Sequence, residues 1–521
     1  MSETTDRERS QSSEVETELP PPTERLAAEH DYDSIIEAIE KDSDKAYEKP
    51  IIDALALAKK NDEPLWARFA SALSDLDGVS YNEYRSMIAG REEELLEENQ
   101  DQEQAVEETT PDDPPEPDST AMAWSAVAEV IEDTFDTRSR HLADAYMTVF
   151  VRMLFIAVSD CPMVIAIGQP STGKSTVAEL FTDLHLSQSH AIVISSAWIS
   201  HNADGDKGEY DLLPRIKQRV MIAAEMGPWF TGDDVAEYMR VLSRVADGSG
   251  MAKTTGAHGT TRYESDYPGE YRFGLVGATT FPNKQAWIEM GNAGSRFLFH
   301  PIPKVDDLRQ LMDTLNDDQK YTEKKAKARE AITAWWSYFY HKHSGEITDE
   351  QMPSLTEDQQ FALMLLARLV ARGRAVDFGG DHDQSGVDMS EQETRSYKML
   401  ERMVYARALG YERAAVNDAD MEMAARVAFA SILQWRQPVV KMLCNPAHDG
   451  PYKSGDVEKR LGVARSTAID RMKGAGRIGV GSYEHESRQS GHQTGVVSLA
   501  DVRLRGIFEK GTVPWPFTSD N

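Results

Sequence analysis

Only two cysteines, Cys161 and Cys444, occur in 521 residues, which excludes a disulfide framework and a cysteine-built zinc cluster and leaves reduced thiols as the expectation. Long apolar runs are missing too. The nearest approach, Met147 to Val158, is interrupted by Arg152 well short of a bilayer span, and no basic, apolar leader starts at Met1. A cytoplasmic chain with no membrane partner is therefore expected. Basic charge is also scarce: 56 Lys and Arg stand against 87 Asp and Glu, a net charge of -31. Spread evenly, that field would repel nucleic acid.

The charge is not spread evenly. Residues 1–120 hold 34 acidic and 11 basic side chains, so -23 of the -31 lies there. The remainder is only mildly acidic and leaves room for a local basic face. Arginine outnumbers lysine, and the combination resembles salt-adapted haloarchaeal proteins, in whose brine electrostatic repulsion is screened.

The length predicts several domains. Residues 1–28, rich in Ser, Thr, Glu and Pro, read as a disordered acidic tail. Over 29–98 apolar residues recur at helical spacing, which predicts a small domain of three or four helices. Residues 99–120 read as an acidic, proline-rich linker. From there two helices lead into short apolar runs, MVIAIG, AIVIS, VMIAA and FGLVGA, alternating with helical segments. Such runs suit strands buried on both faces of a parallel sheet, so 121–303 reads as an α/β core. A helical lid is expected over 304–437, a helix-turn-helix module over 438–506 and a tail over 507–521. No internal repeat is visible.

The strand MVIAI runs into Gly168, Gln169, Pro170, Ser171, Thr172, Gly173, Lys174, Ser175 and Thr176, which fits G-x-x-x-x-G-K-[ST], and then into the helical TVAELFTDL. Glycines let successive backbone amides turn toward phosphate oxygens. Lys174 would neutralise the β and γ phosphates of ATP, and the Ser175 hydroxyl would ligate Mg2+.

Phosphoryl transfer also requires an acid, a water-holding polar group and a further cation. VMIAAEMG supplies one acid, Glu225, flanked by Ala224 and Met226. Either Glu225 activates the water and the magnesium-side acid is missing, or Glu225 holds the metal and the base lies elsewhere. FGLVGA ends in Thr279 and Thr280, with Asn283 close behind, and one of the threonines is the candidate for holding the water. In isolation, threonines after a strand are usually turn residues; their place in the order of motifs singles these out. Arg296, in NAGSRFLFHPI, sits between a small-residue turn and an apolar strand, where an arginine finger would act on a neighbouring subunit.

GSRFLF, Gly294 to Phe299, resembles the finger segment of the minichromosome maintenance (MCM) clade of AAA+ helicases, and ETRSYKMLERMVYARAL, running on to VNDADMEMA, resembles that clade's second-sensor helix. The resemblance spans roughly residues 150 to 430. It implies an α/β AAA+ P-loop core with a helical lid, Arg395 as second sensor toward the γ phosphate, and a homo-oligomeric, hexameric ring. The second acid of the clade is absent, and so is its zinc-binding N-terminal region, as in a distant relative of the kind a virus or plasmid carries. The clade's rings project hairpins into a central pore. GMAKTTGAHGTTRYESDYPG has the Gly and Thr content of such a hairpin, with Lys253, His258 and Arg262 as backbone-contacting candidates, although a plain solvated connection would read the same way.

DVEKRL, a turn at Gly462 and ARSTAIDRMKGA have a helix-turn-helix layout. Val457, Leu461, Val463, Ala468, Ile469 and Met472 are spaced as a core. Arg465, Ser466, Thr467, Arg471 and Lys473 remain for a DNA-facing surface. Between Lys453 and Arg477 seven basic residues face three acidic ones, a local reversal of the chain's charge. Two strands enclosing His485, Arg488 and His492 resemble the wing of a winged helix, a module that in some proteins binds only protein. The expected function is an ATP-driven DNA helicase or translocase in replication. An ATP-switched initiator, loader or regulator is the alternative, and a protein remodeller is a third class.

Overall fold

The computed structural model describes residues 122–190, 198, 211–231, 235–255, 259–265, 267–293, 296–304, 318–375, 393–448, 450–487 and 493–517. The chain divides into two compact units, Met1–Asp113 and Pro114–Asn521, and every described residue belongs to the second. The tail, helical domain and linker expected over 1–120 lie outside the described residues.

Helices α1 (Trp124–Thr134) and α2 (Thr137–Met153) lead into strand β1 (Met163–Ile167), helix α3 (Lys174–Glu179) and strands β2 (Ser187–Ser189) and β3 (Val220–Ala223). The run AIVIS lies outside the described residues. Helix α4 (Val235–Val245), the hairpin β4 (Gly250–Thr255) and β5 (Gly259–Glu264), strand β6 (Gly274–Thr279), helix α5 (Lys284–Ala293) and strand β7 (Leu298–Pro301) complete the segment. Five strands form one parallel sheet in the order β2-β3-β6-β1-β7. This α/β architecture is compatible with a P-loop ATPase fold.

Both faces of the sheet are covered, which is why its central strands read as unbroken apolar runs. Val164, Ala166, Val276 and Leu298 face a core shared with α1 and α2, whereas Ile165, Ile167, Met221, Leu275 and Phe299 face a second core around Trp198, Trp229 and Trp287. Asp136 caps α2 by accepting the Ser139 N–H. The helix is buried almost all round and carries a charge inward. Asp144 accepts from Trp124 Nε1 at 2.7 Å, Arg407 at 2.8 Å and the Tyr411 hydroxyl at 2.9 Å. Arg407 also donates to Asp420 at 2.7 Å, and Arg413 does so at 2.6 Å. Two buried carboxylates thus meet two guanidinium groups, the pairing that buried charge requires.

Four helices follow β7: α6 (Asp318–Lys342), α7 (Glu357–Arg374), α8 (Glu393–Gly410) and α9 (Asp418–Ala430). Helices α7 and α9 start at capping boxes, Thr356 with Gln359 and Asn417 with Asp420. Helix α10 (Gln437–Cys444) then leads to β8 (Tyr452–Lys453), α11 (Ser454–Leu461), α12 (Arg465–Arg477), β9 (Gly481–Ser487), β10 (Gln493–Leu499) and α13 (Arg503–Glu509). Gly462 joins α11 to α12 in the left-handed conformation, φ 59°, which glycine adopts without a Cβ penalty. The three short strands form an antiparallel sheet in the order β8-β10-β9.

Two expected boundaries do not coincide with breaks in the packing. The 437/438 division falls at the start of α10, whose Val439, Val440 and Leu443 belong to the large core. The tail expected from 507 takes in the last three residues of α13, and Trp515 and Phe517 lie 5.7 and 5.2 Å, ring to ring, from Phe429 of α9. That end of the chain is packed because its aromatic rings gain more by burial than a polar segment could. Among the described residues no helix is long and apolar enough to cross a membrane.

Candidate active site

The loop after β1 leaves the sheet at Gly168, where a Cβ would stand 2.5 Å from the Ile302 carbonyl oxygen, so no larger residue fits without moving the edge strand's continuation. Ser171 and Gly173 take positive φ, 61° and 85°, and turn the loop outward; Gln169, Pro170, Ser171 and Gly173 are exposed, Thr172 and Thr176 half-buried. Lys174, buried at the first position of α3, folds its ammonium back on this loop. It donates to the carbonyls of Gly168 and Gln169 at 3.1 and 2.5 Å and to Thr172 Oγ1 at 3.2 Å. Burial lowers its pKa, and the charge of Glu225 opposes that shift. The ammonium therefore sits on groups that phosphate oxygens could replace.

Ser175 donates its hydroxyl to the Ala224 carbonyl at 2.9 Å, tying α3 to the end of β3. Glu225 is exposed and accepts the Gly227 N–H at 3.1 Å. Met226 turns away: it is fully buried, and its Sδ occupies the space over Gly277, where a Cβ would come within 2.2 Å. Ala224 is thus the position beside Ser175, and Glu225 stands one residue further out. Thr279 ends β6 opposite Ile167, the residue before Gly168. Its Oγ1 is buried with no hydrogen-bond partner. Thr280 is half-buried. Asn283 accepts the Ala286 N–H at 2.8 Å and so caps α5, a structural employment that accounts for this residue.

Arg296 and Arg395 are not brought to this loop. Strand β7 runs parallel to β1, so Arg296, two residues before it, lies at the opposite end of the sheet from Lys174. There its guanidinium forms an ion pair with Asp247, just beyond α4. Arg402 of α8 pairs with Asp160, three residues before β1, while Arg407 pairs with Asp144 in the middle of α2. Helix α8 therefore climbs from the N-terminal ends of the strands, and Arg395, exposed in its first turns, lies about two turns below Arg402. Arg395 thus stands at the end of the sheet away from Lys174.

The hairpin expected before β6 is present as β4 and β5, with Lys253 opposite Thr261 and Arg262 opposite Ala252. His258 and the side chains of Lys253 and Arg262 lie outside the described residues. On α12, Arg465, Ser466, Thr467 and Lys473 are exposed and Arg471 is half-buried, whereas Ala468 and Met472 face inward. Val457 is buried, and Leu461, Val463 and Ile469 are half-buried. Strand β9 exposes His485 but also Glu484 and Glu486, the latter paired with Lys453 at 2.8 Å. Arg488 and His492 lie outside the described residues.

Sequence reasoning missed Arg374 and Ser431, which bond the backbone beside Arg296. Nothing in RLVARGR distinguishes the buried Arg374 from Arg368 and Arg372. No protein-family pattern matches the chain, and no curated protein matches it. Among solved structures it is similar to a crystal structure described as a "putative ATPase" from Cytophaga hutchinsonii, at 13% identity and a TM-score of 0.33, over 59% of this chain and 85% of that one.

Proposed function

We propose that the chain binds ATP on the loop between β1 and α3 and hydrolyses it at contacts between copies of itself in a homo-oligomeric, hexameric ring. The observation that carries this reading is the division of the candidate groups between the two ends of one sheet. Lys174, Ser175, Glu225 and Thr279 gather at one end; Arg296 and Arg395 stand at the other. A single chain cannot bring both sets to one nucleotide, but a neighbour's opposite end can.

On ATP binding, Lys174 exchanges its loop acceptors for β and γ phosphate oxygens. The hard-oxygen surroundings suit Mg2+, which Ser175 would hold together with the phosphates, the metal-side carboxylate being absent at Ala224. The ion supplies neutralisation of developing phosphate charge. The unpartnered Thr279 hydroxyl fits a bond to the attacking water or a phosphate oxygen, with Thr280 beside it, and Glu225 takes up the water's proton. Arg296, released from Asp247, adds positive charge to a neighbour's γ phosphate, and Arg395 is a second candidate for the same neighbour.

We read α11, α12 and the small antiparallel sheet as a winged helix. Exposed Arg465, Ser466, Thr467 and Lys473, with Arg471, would lie against DNA, and the β4–β5 hairpin would line the ring. The function is then that of a DNA helicase or translocase in replication. It is tested by ATP turnover in high salt with and without single- and double-stranded DNA, alongside strand displacement. Turnover raised by DNA with displacement supports a motor. A second reading, an ATP-switched initiator, loader or regulator, is favoured by Ala224 standing where a second acid would sit; DNA binding that depends on ATP with slow, unstimulated turnover would select it. Absence of any DNA affinity would point to a protein remodeller.

A further inference from the structure

The geometry points to Arg374 as a positioning residue for Arg296. This inference rests on the reading of Arg296 as a finger acting on a neighbouring subunit. Among the described residues β7 pairs only with β1, so its outer side is a sheet edge with backbone groups facing away from any strand. Two of those groups, the Phe297 carbonyl and the Phe299 N–H, are bonded by two side chains. Arg374, the last residue of α7 and 2% exposed, donates to the Phe297 carbonyl at 2.9 Å and to the Ser431 carbonyl at 2.8 Å. Ser431, fully buried, accepts the Phe299 N–H on its hydroxyl at 2.9 Å.

The clamp seizes the chain at the residue immediately after Arg296, and therefore fixes where that arginine's backbone leaves the sheet. Its own mounting is rigid. Gly373 packs so closely on Ile432 that a Cβ would meet Cγ2 at 2.1 Å, and Arg436 donates to the carbonyls of Gly373 and Ala375 at 3.0 and 2.7 Å. Earlier on the same helix, Arg372 donates to the Gly479 carbonyl at 2.7 Å, and Arg368 bridges Glu393 at 3.0 Å and Asp501 at 3.4 Å. The same helix thus holds the finger segment at its end and the C-terminal module along its side.

The test uses the full chain at concentrations where it is oligomeric. Arg374→Ala is expected to lower kcat by about tenfold with ATP KM changed less than about twofold, because the finger acts on the transition state rather than on ATP binding. Added to Arg296→Ala it should cost little more, since both act through one group. Ser431→Ala, which removes only the acceptor for Phe299, should lower kcat in the same direction, and carries the test if Arg374→Ala does not fold by circular dichroism. Losses that multiply with that of Arg296→Ala, or Arg374→Ala and Ser431→Ala turning over like wild type, would overturn the positioning role. If Arg296→Ala itself turns over normally, the finger falls and this inference with it; if Arg296→Ala is slow and the clamp variants are not, only this inference falls.

Discussion

The two ends of the five-stranded sheet differ in the kind of chemistry they carry. At the C-terminal ends of the strands the loop after β1, the end of β3 and the end of β6 bring oxygen acceptors, one carboxylate, one ammonium and an unpartnered hydroxyl close together. At the N-terminal ends stand cations already paired to acids of their own chain, Arg296 with Asp247 and Arg402 with Asp160. On the reading proposed above, the first end receives a phosphate and the second lends a charge. A parallel sheet enforces this polarity, because residues entering and leaving its strands must emerge on opposite sides.

The largest expected effect comes from breaking what holds the two ends in register. Asp144→Ala removes the acceptor of Trp124, Arg407 and Tyr411 and leaves the buried Arg407 guanidinium with Asp420 alone. A stability loss of about 3–5 kcal/mol is expected in chemical denaturation, and a loss under about 1 kcal/mol would mean the network is dispensable. Next comes Lys174→Ala, which should reduce phosphate release on the order of a hundredfold or more while the far-ultraviolet spectrum stays unchanged. Turnover at the wild-type rate would remove the loop from the chemistry.

Arg296→Ala probes the other end. Nucleotide binding should stay within about twofold of wild type while turnover falls about tenfold or more, and mixing with Glu225→Gln subunits should restore part of the activity. Complementation is the signature of two ends meeting across subunits; its absence in a mixed oligomer would return the chemistry to one chain. Ala224→Asp sharpens the comparison in the opposite direction by adding a carboxylate beside Ser175. A rise in turnover of about threefold is expected at saturating Mg2+, and a fall would show that this position is not a vacant metal-side one. The smallest effect concerns the C-terminal module. Arg465→Glu should flatten the plot of log affinity against log salt by about one unit, read by fluorescence anisotropy on duplex DNA. An unchanged slope would take Arg465 off the phosphate backbone.

Much of the C-terminal end was legible in the sequence, since phosphate binding demands particular residues at fixed spacing and buried parallel strands demand short apolar runs. Lys174, Ser175 and Thr279 lie together at that end of the sheet. The placement of Ala224 beside Ser175 was not legible from residue types; it depends on Met226 packing over Gly277. The separation of Arg296 and Arg395 from the loop was hidden as well, because it depends on strand direction and on the pairing of Arg402 with Asp160, neither of which leaves a local mark. Buried arginines mislead in the same way. Arg374 and Arg407 read as ordinary surface cations until their acceptors, a strand edge and two carboxylates, are brought to them by the fold.

The clamp on β7 also bears on how copies of the chain can join. An open sheet edge invites a second sheet to continue it, and such continuation has no natural end, so it leads to fibres rather than counted assemblies. Here the Phe297 carbonyl and the Phe299 N–H are already bonded by Arg374 and Ser431, and among the described residues the opposite edge strand, β2, is three residues long. Growth by strand addition is blocked at β7 and has little to grip at β2. In the ring proposed above, side chains rather than strand edges would set the rotation between neighbours, and such a contact can close on itself.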